Sequence, residues 1–160
     1  MANLISGCKS QPCACFSYLA LTAAENHWQF VLLATGTLSQ VEKRISETHT
    51  LLASSHRFDP RRPAHLQRLG VLRTIRDSLS PNKDDLDKSI THFTEAILFP
   101  FQSSHDVVHL LFHLANVLHS RSVDYKQLED AKSSAKYFHL TSTPFNLKLP
   151  TSIVVNLRRA

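Results

Sequence analysis

The sequence predicts an all-α fold: antiparallel helix pairs stacked into a short right-handed α-solenoid, two full units with partial ones at both ends. Three observations lead there. Glycine occurs three times in 160 residues (Gly7, Gly36, Gly70), too seldom for the tight turns of an all-β chain. Apolar residues make up 42% against 19% charged, the balance of a chain that buries a core. Shifted by 42 residues, Leu66, Leu69 and Leu72 fall on Val108, Leu111 and Leu114. A helix pair of this kind cannot hide its apolar stripe alone and must stack on a neighbour.

Residues 1–35 match the repeat poorly, yet from about residue 14 they read as a helix with Phe16, Leu19, Ala20, Ala23, His27 and Phe30 on one face. The run CACFSYLALTAA after Lys9 offers a secretion leader within residues 1–24 as the alternative. A single lysine before it, and no disulfide framework after it, favour a cytoplasmic chain with reduced thiols. Cys8, Cys13 and Cys15 cluster too tightly to staple a domain, and Cys13-Ala14-Cys15 is too close for a zinc spacer.

Residues 36–58 form a partial repeat, in which Val41 to Ile45 precede Leu86 to Ile90 by 45 residues and Ser39 with Glu42 makes a capping box. Residues 59–101 form the first full repeat. Pro60 and Pro63 introduce a helix from about Ala64 to Leu79, Ser80-Pro81-Asn82 loops, Asn82 with Asp85 caps the next helix, and Pro100 stops it. Residues 102–144 form the second. Ser103 or Ser104 starts a helix to about Arg121, Asp124 caps its successor, and Pro144 closes the copy. At the 42-residue shift Arg73 falls on Ala115 and Arg76 on Leu118, while Leu86, Ser89, Phe93 and Ala96 fall on Leu128, Ala131, Ala135 and Phe138. Residues 145–160 open a further copy, with Ile153, Val154, Val155 and Leu157 as an unpaired apolar strip. Such a strip self-associates or takes a covering segment, so the chain reads as a fragment or a truncated relative. The expected core is Leu66, Leu69, Leu72, Leu86, Ile90, Phe93, Ile97, Leu111, Leu114, Leu118, Leu128, Ala131 and Phe138.

The string Leu66-x2-Leu69-Gly70-x2-Arg73, then Ser89-x3-Phe93-x2-Ala96 and Pro100, resembles the tetratricopeptide pattern. It departs where Leu66 replaces Trp and Arg73 replaces Tyr, and its connector is about seven residues longer than the norm. In the second copy Phe112 takes the glycine position and Ala135 the Phe position. The strings HRFDPRRPAHLQRLG, DDLDKSITHFTEAILFP and QLEDAKSSAKYFHLT resemble the arrays of basidiomycete fungi known as aromatic di-alanine repeat proteins. Many of those carry a caspase-like CHAT protease domain. The resemblance covers residues 41–160 and implies a sensor or adaptor array beside an effector. Nothing matches the protease's own His and Cys segments, so its activity is not implied.

The chemistry-bearing patterns thin out under inspection. His105, His109 and His113 share one helix face, but His109-Leu110-Leu111-Phe112-His113 holds Leu where a zinc protease needs its Glu, and no third ligand stands at a suitable spacing. The chain lacks a G-x-S-x-G elbow and any Gly-rich phosphate loop. Asp84, Asp85 and Asp87 sit at a helix start, where negative charge complements the helix dipole. No catalytic residue, metal or cofactor is expected.

Binding is the class that remains. In stacked pairs the first helices line the groove, which nominates Gln67, Val71 and Thr74, then His109, His113 and Asn116. A carboxylate clamp of Lys, Asn and Arg, which the resemblance would allow, is not reproduced. The expected partner is a protein or peptide, or the rest of a larger array. Net charge is +5, and Arg57, Arg61, Arg62, Arg68, Arg73 and Arg76, against Asp59 alone, carry an excess of that size. That stretch makes polyanion or nucleic-acid binding the alternative, although only Phe58 supplies an aromatic for stacking.

Overall fold

The computed structural model describes residues 36–100 and 104–142. Among them the protein is all-α, with five helices and no strand: α1 Leu38–Ser54, α2 Arg62–Leu79, α3 Lys83–Ile97, α4 Ser104–Asp124 and α5 Leu128–Ser142. The cysteines, the possible leader, Pro144 and the Ile153–Leu157 strip lie outside the described residues.

Helix boundaries follow local chemistry, not always at the expected residue. α1 is capped by Thr37, whose hydroxyl accepts from the Gln40 backbone N–H at 3.4 Å while the Gln40 side chain accepts from the Thr37 N–H at 2.9 Å. The capping box is thus Thr37/Gln40 and not Ser39/Glu42. Thr37 is the last extended residue before the turn, and only an extended residue can aim its side chain back at those N–H groups. Before α3, Asn82 accepts from the Asp84 N–H at 3.0 Å. Asp85 does not share that cap; it turns inward. Asp124 does not cap α5 either, because α4 runs through it. The chain then turns at Lys126, which takes the left-handed conformation (φ 55°), and the Asp130 N–H reaches the Gln127 carbonyl at 3.1 Å.

Consecutive helices pack on one another: α1 on α2, α2 on α3, α3 on α4 and α4 on α5, with a small contact between α2 and α4. α2 is therefore gripped from several sides, and it buries Leu66, Leu69, Gly70, Val71, Leu72, Arg73, Ile75 and Asp77. Leu86, Phe93, Ile97, Leu111, Leu114 and Leu118 join Leu66, Leu69 and Leu72 in the core as expected. Four core assignments fail. Leu128 is 70% exposed, and Ile90, Ala131 and Phe138 are only half-buried. Leu128 is the first residue of α5, and Ile90 lines a cleft along α3.

Helix starts and side-chain bonds among the described residues recur at 45 residues as well as at the 42 expected from the apolar pattern. The first helices start 42 residues apart, at Arg62 and Ser104, but α4 has 21 residues where α2 has 18. From the packed part of the pair onward the spacing is 45: α1, α3 and α5 begin at Leu38, Lys83 and Leu128. Two kinds of hydrogen bond recur at that spacing. The Ser89 hydroxyl donates to the Gly70 carbonyl at 2.8 Å, and the Ser134 hydroxyl to the Ala115 carbonyl at 2.8 Å. Arg76 Nε donates to Asp85 at 2.7 Å, and Arg121 Nε to Asp130 at 2.6 Å. The counterpart of Gly70 is therefore Ala115 rather than Phe112. That of Phe93 is Phe138 rather than Ala135, and that of Arg76 is Arg121 rather than Leu118.

The arginines also tie neighbouring pairs together. Arg121 donates to Asp87 of α3 as well as to Asp130 of α5. Arg76 bonds Asp85 through two nitrogens, and Glu42 of α1, 45 residues before Asp87, lies close enough to help hold its proton.

Candidate functional site

The arginine stretch does not form one basic face. Arg73 is buried and donates to Asp85 at 2.9 Å, with His49 Nε2 3.2 Å from its other terminal nitrogen. Arg76 shares the same carboxylate. Burial alone would raise the Asp85 pKa, but hydrogen bonds from Arg76 and Arg73 outweigh it and hold the group below the usual carboxylate range. Arg61 pairs with Asp59 at 3.1 Å and Arg62 with Glu95 at 3.0 Å, and Arg68 is half-buried on α2. Arg57 is exposed, its guanidinium 6.0 Å from the centre of the Phe58 ring. Arg73 and Arg76 are structural and drop out of the basic patch. The sequence reading counted charge along the chain, whereas the helix turns successive arginines toward different partners.

The first-helix candidates scatter in the same way. Val71 is buried at 8% exposure, so it lines no open groove. The Thr74 hydroxyl lies 3.0 Å from both the Gly70 carbonyl and the Ser89 hydroxyl, inside the α2–α3 contact. His113 stacks flat on Phe93, ring centres 5.4 Å apart at 4°. Burial, and then its neighbour His109, push the His113 pKa down to about 4. Gln67 and His109 are half-buried, and Asn116 is exposed with its amide donating to the Phe112 carbonyl at 2.8 Å. Val71, Thr74 and His113 thus serve packing, because α2 and α4 each meet more than one neighbour. His105, His109 and His113 run as a ladder of ring contacts at 5.6 and 5.9 Å. No group of three or more His, Cys, Asp or Glu suited to a metal ion occurs among the described residues.

A concavity lies elsewhere. A cleft of about 980 Å³ follows the outer face of α3. Its floor is the stripe Asp87, Ile90, Thr91, Thr94, Glu95 and Leu98, spaced three and one apart so that one helix face carries them all. At 1.5 Å per residue that stripe is about 16 Å long. One end is walled by Arg57, Phe58 and Arg62 from the α1–α2 connection and the start of α2, the other by Arg121 from the end of α4. The described lining offers guanidinium, carboxylate, hydroxyl and apolar groups, which is the equipment of recognition. Only Arg57 and Arg62 among these were nominated from sequence. The stripe itself was legible as an i, i+3, i+4 pattern, but Ile90 was assigned to the core and so hid it.

No family model matches the chain, and neither a curated protein nor a solved structure does. Among the described residues no helix is long and apolar enough to cross a membrane.

Proposed function

We propose that this chain is a non-catalytic scaffold or adaptor for protein interaction, built from helical-pair repeats and holding a protein or peptide ligand without a cofactor. One observation carries the reading: two helix pairs 45 residues apart repeat the same serine-to-carbonyl bond and the same arginine–aspartate pair. Side-chain bonds of that kind recur at a fixed period where one unit is copied and stacked, and stacked units present extended surfaces to partners.

A tetratricopeptide-like array of the fungal kind is the finer form of the proposal, with a cytoplasmic setting. Gly70 against Phe93, with Ser89 and Ala96 buried on α3, supports it. The 45-residue spacing exceeds the 34 of that family and falls among the longer helical-pair repeats. Polyanion binding draws less support, since four of the six nominated arginines are already paired with carboxylates.

Selection of the purified chain against a displayed peptide library tests the proposal. Selected peptides should bind saturably and survive raised salt, while retention on heparin or RNA should be weak and salt-labile. A failure to select any peptide, with tight heparin binding lost in an Arg61→Glu, Arg62→Glu, Arg68→Glu variant, would sink it.

A further inference from the structure

We propose that the open face of α5 is the docking site for residues 149–157 of this same chain. The inference rests on the stacked-pair reading of the fold and on no assumption about a partner. A face that is covered on α1 and α3 lies open on α5. On α1, which packs on α2, Val41, Ile45 and Thr48 are 0%, 6% and 2% exposed. At 45 residues on, Leu86 and Phe93 of α3 are 0% and 1% exposed, with Ile90 half-buried between them. There the Phe93 ring stacks on His113 of the following helix, α4. Another 45 residues on, α5 holds Ala131 and Phe138, both half-buried, and Ala135, which is exposed. Phe138 meets only the edge of the Phe112 ring on α4, at 5.8 Å between centres, and Phe112 is itself 47% exposed. Among the described residues no helix follows α5 to close that face.

The occupant is argued from spacing, size and tether. Between α1 and α2 lie the seven residues 55–61, and between α3 and α4 the six residues 98–103. Six residues after Ser142 the sequence reaches Leu149-Pro150, which lies outside the described residues. α2 likewise opens on Arg62-Pro63, with proline in its first turn. Counted from that proline, Ile153 takes the place of Leu66, which is fully buried in α2. Leu157 follows Ile153 by four, the spacing of one helix face. Size agrees, since α5 carries Ala131 and Ala135 where α1 and α3 carry valine, leucine and isoleucine. Bulky Ile153, Val154 and Leu157 would return the volume that those alanines give up. Residues 149–157 hold no charged side chain, as burial on such a face requires. The short connection also holds the segment at an effective concentration on the order of millimolar, which a second copy in solution does not reach.

The test is cross-linking of the full chain with Cys8, Cys13 and Cys15 changed to serine. Ala135→Cys and Leu157→Cys introduced together should be joined by a short bismaleimide within the monomer. Arg44→Cys, at an exposed position on α1, should not be joined to Leu157→Cys. A mixture of two singly changed chains should give no joined dimer. Joining only between chains would assign the face to a second copy and overturn the proposal. So would no joining at all, or equal joining from Arg44→Cys. Amide exchange gives a second reading that needs no cross-linker. Ile153→Asp with Leu157→Asp should speed exchange across α5 about tenfold and leave α2 unchanged. Exchange that stays the same in α5, or quickens equally in α2, also overturns the docking. Each of these failures leaves the scaffold reading standing, since peptide selection tests that separately.

Discussion

A methyl group on Gly70 would stand 2.7 Å from Cζ of Phe93 and 2.9 Å from both Cε atoms. The two helices of the first full pair therefore touch through a bare backbone and the edge of a ring. Gly70→Ala gains about 1 kcal/mol of helix propensity but drives a buried ring, 1% exposed, out of its place. The expected net effect is a loss of about 1–3 kcal/mol. Urea denaturation should show it, and Phe93→Leu should restore part of it in the double variant. A stabilised Gly70→Ala would mean that the ring moves freely.

Removing one carboxylate should cost more than removing its counterpart in the next pair. Asp85→Asn removes the carboxylate that Arg73 and Arg76 share and leaves buried Arg73 without its ion pair, at a cost of about 3–5 kcal/mol. Asp130→Asn leaves Arg121 still held by Asp87 and should cost less than half of that. Parallel chemical denaturation of the two variants checks the order, and equal losses would contradict the shared-carboxylate picture.

Acid should weaken the fold through two buried histidines. Burial, then Arg73 and His49, push His92 down to about 4, and His113 falls to about 4 as well. Both His92 ring nitrogens and Nε2 of His113 are buried without a hydrogen-bond partner. A histidine depressed in the folded state binds its proton more readily when unfolded, so stability is full above about pH 6.5 and declines as pH falls toward 4. By linkage the loss should approach about 3 kcal/mol for each histidine by pH 4. His113→Phe, which keeps the stack on Phe93, should flatten the slope measured by urea midpoints across the same range.

Leu128 separates the 42-residue from the 45-residue spacing. Leu128→Glu should change stability by no more than about 0.5 kcal/mol, the cost of an ordinary surface substitution. Leu86→Ala, its partner in the 42-residue reading, should cost about 2–5 kcal/mol because the side chain is fully buried. A large loss at Leu128 would return it to a core.

How far the sequence could be read is visible in these same residues. Leu66, Leu69 and Phe93 were legible because apolar periodicity reports burial directly. Pro63 and Asn82 marked boundaries through dihedral and capping rules that act locally. The register was not legible, because three extra residues in α4 keep the helix starts at 42 while the bonds sit at 45. Ser89 and Ser134 reveal that spacing through a carbonyl 19 residues away, and no apolar pattern records such a bond. The basic stretch misled for the same reason: linear charge says nothing of which arginine meets Asp85. The α3 cleft was hidden by treating Ile90 as interior, when its half-exposure is what gives the cleft an apolar floor.

The double attachment of Arg121 has a consequence for how the chain is made. Its acid behind, Asp87, leaves the ribosome 34 residues earlier, and its acid ahead, Asp130, follows nine residues later. A nascent α4 can thus dock backward onto finished helices before its own mate has been synthesised. With nearly all contacts between consecutive helices, assembly can proceed vectorially, one helix at a time, with little loop-closure entropy to overcome at each step.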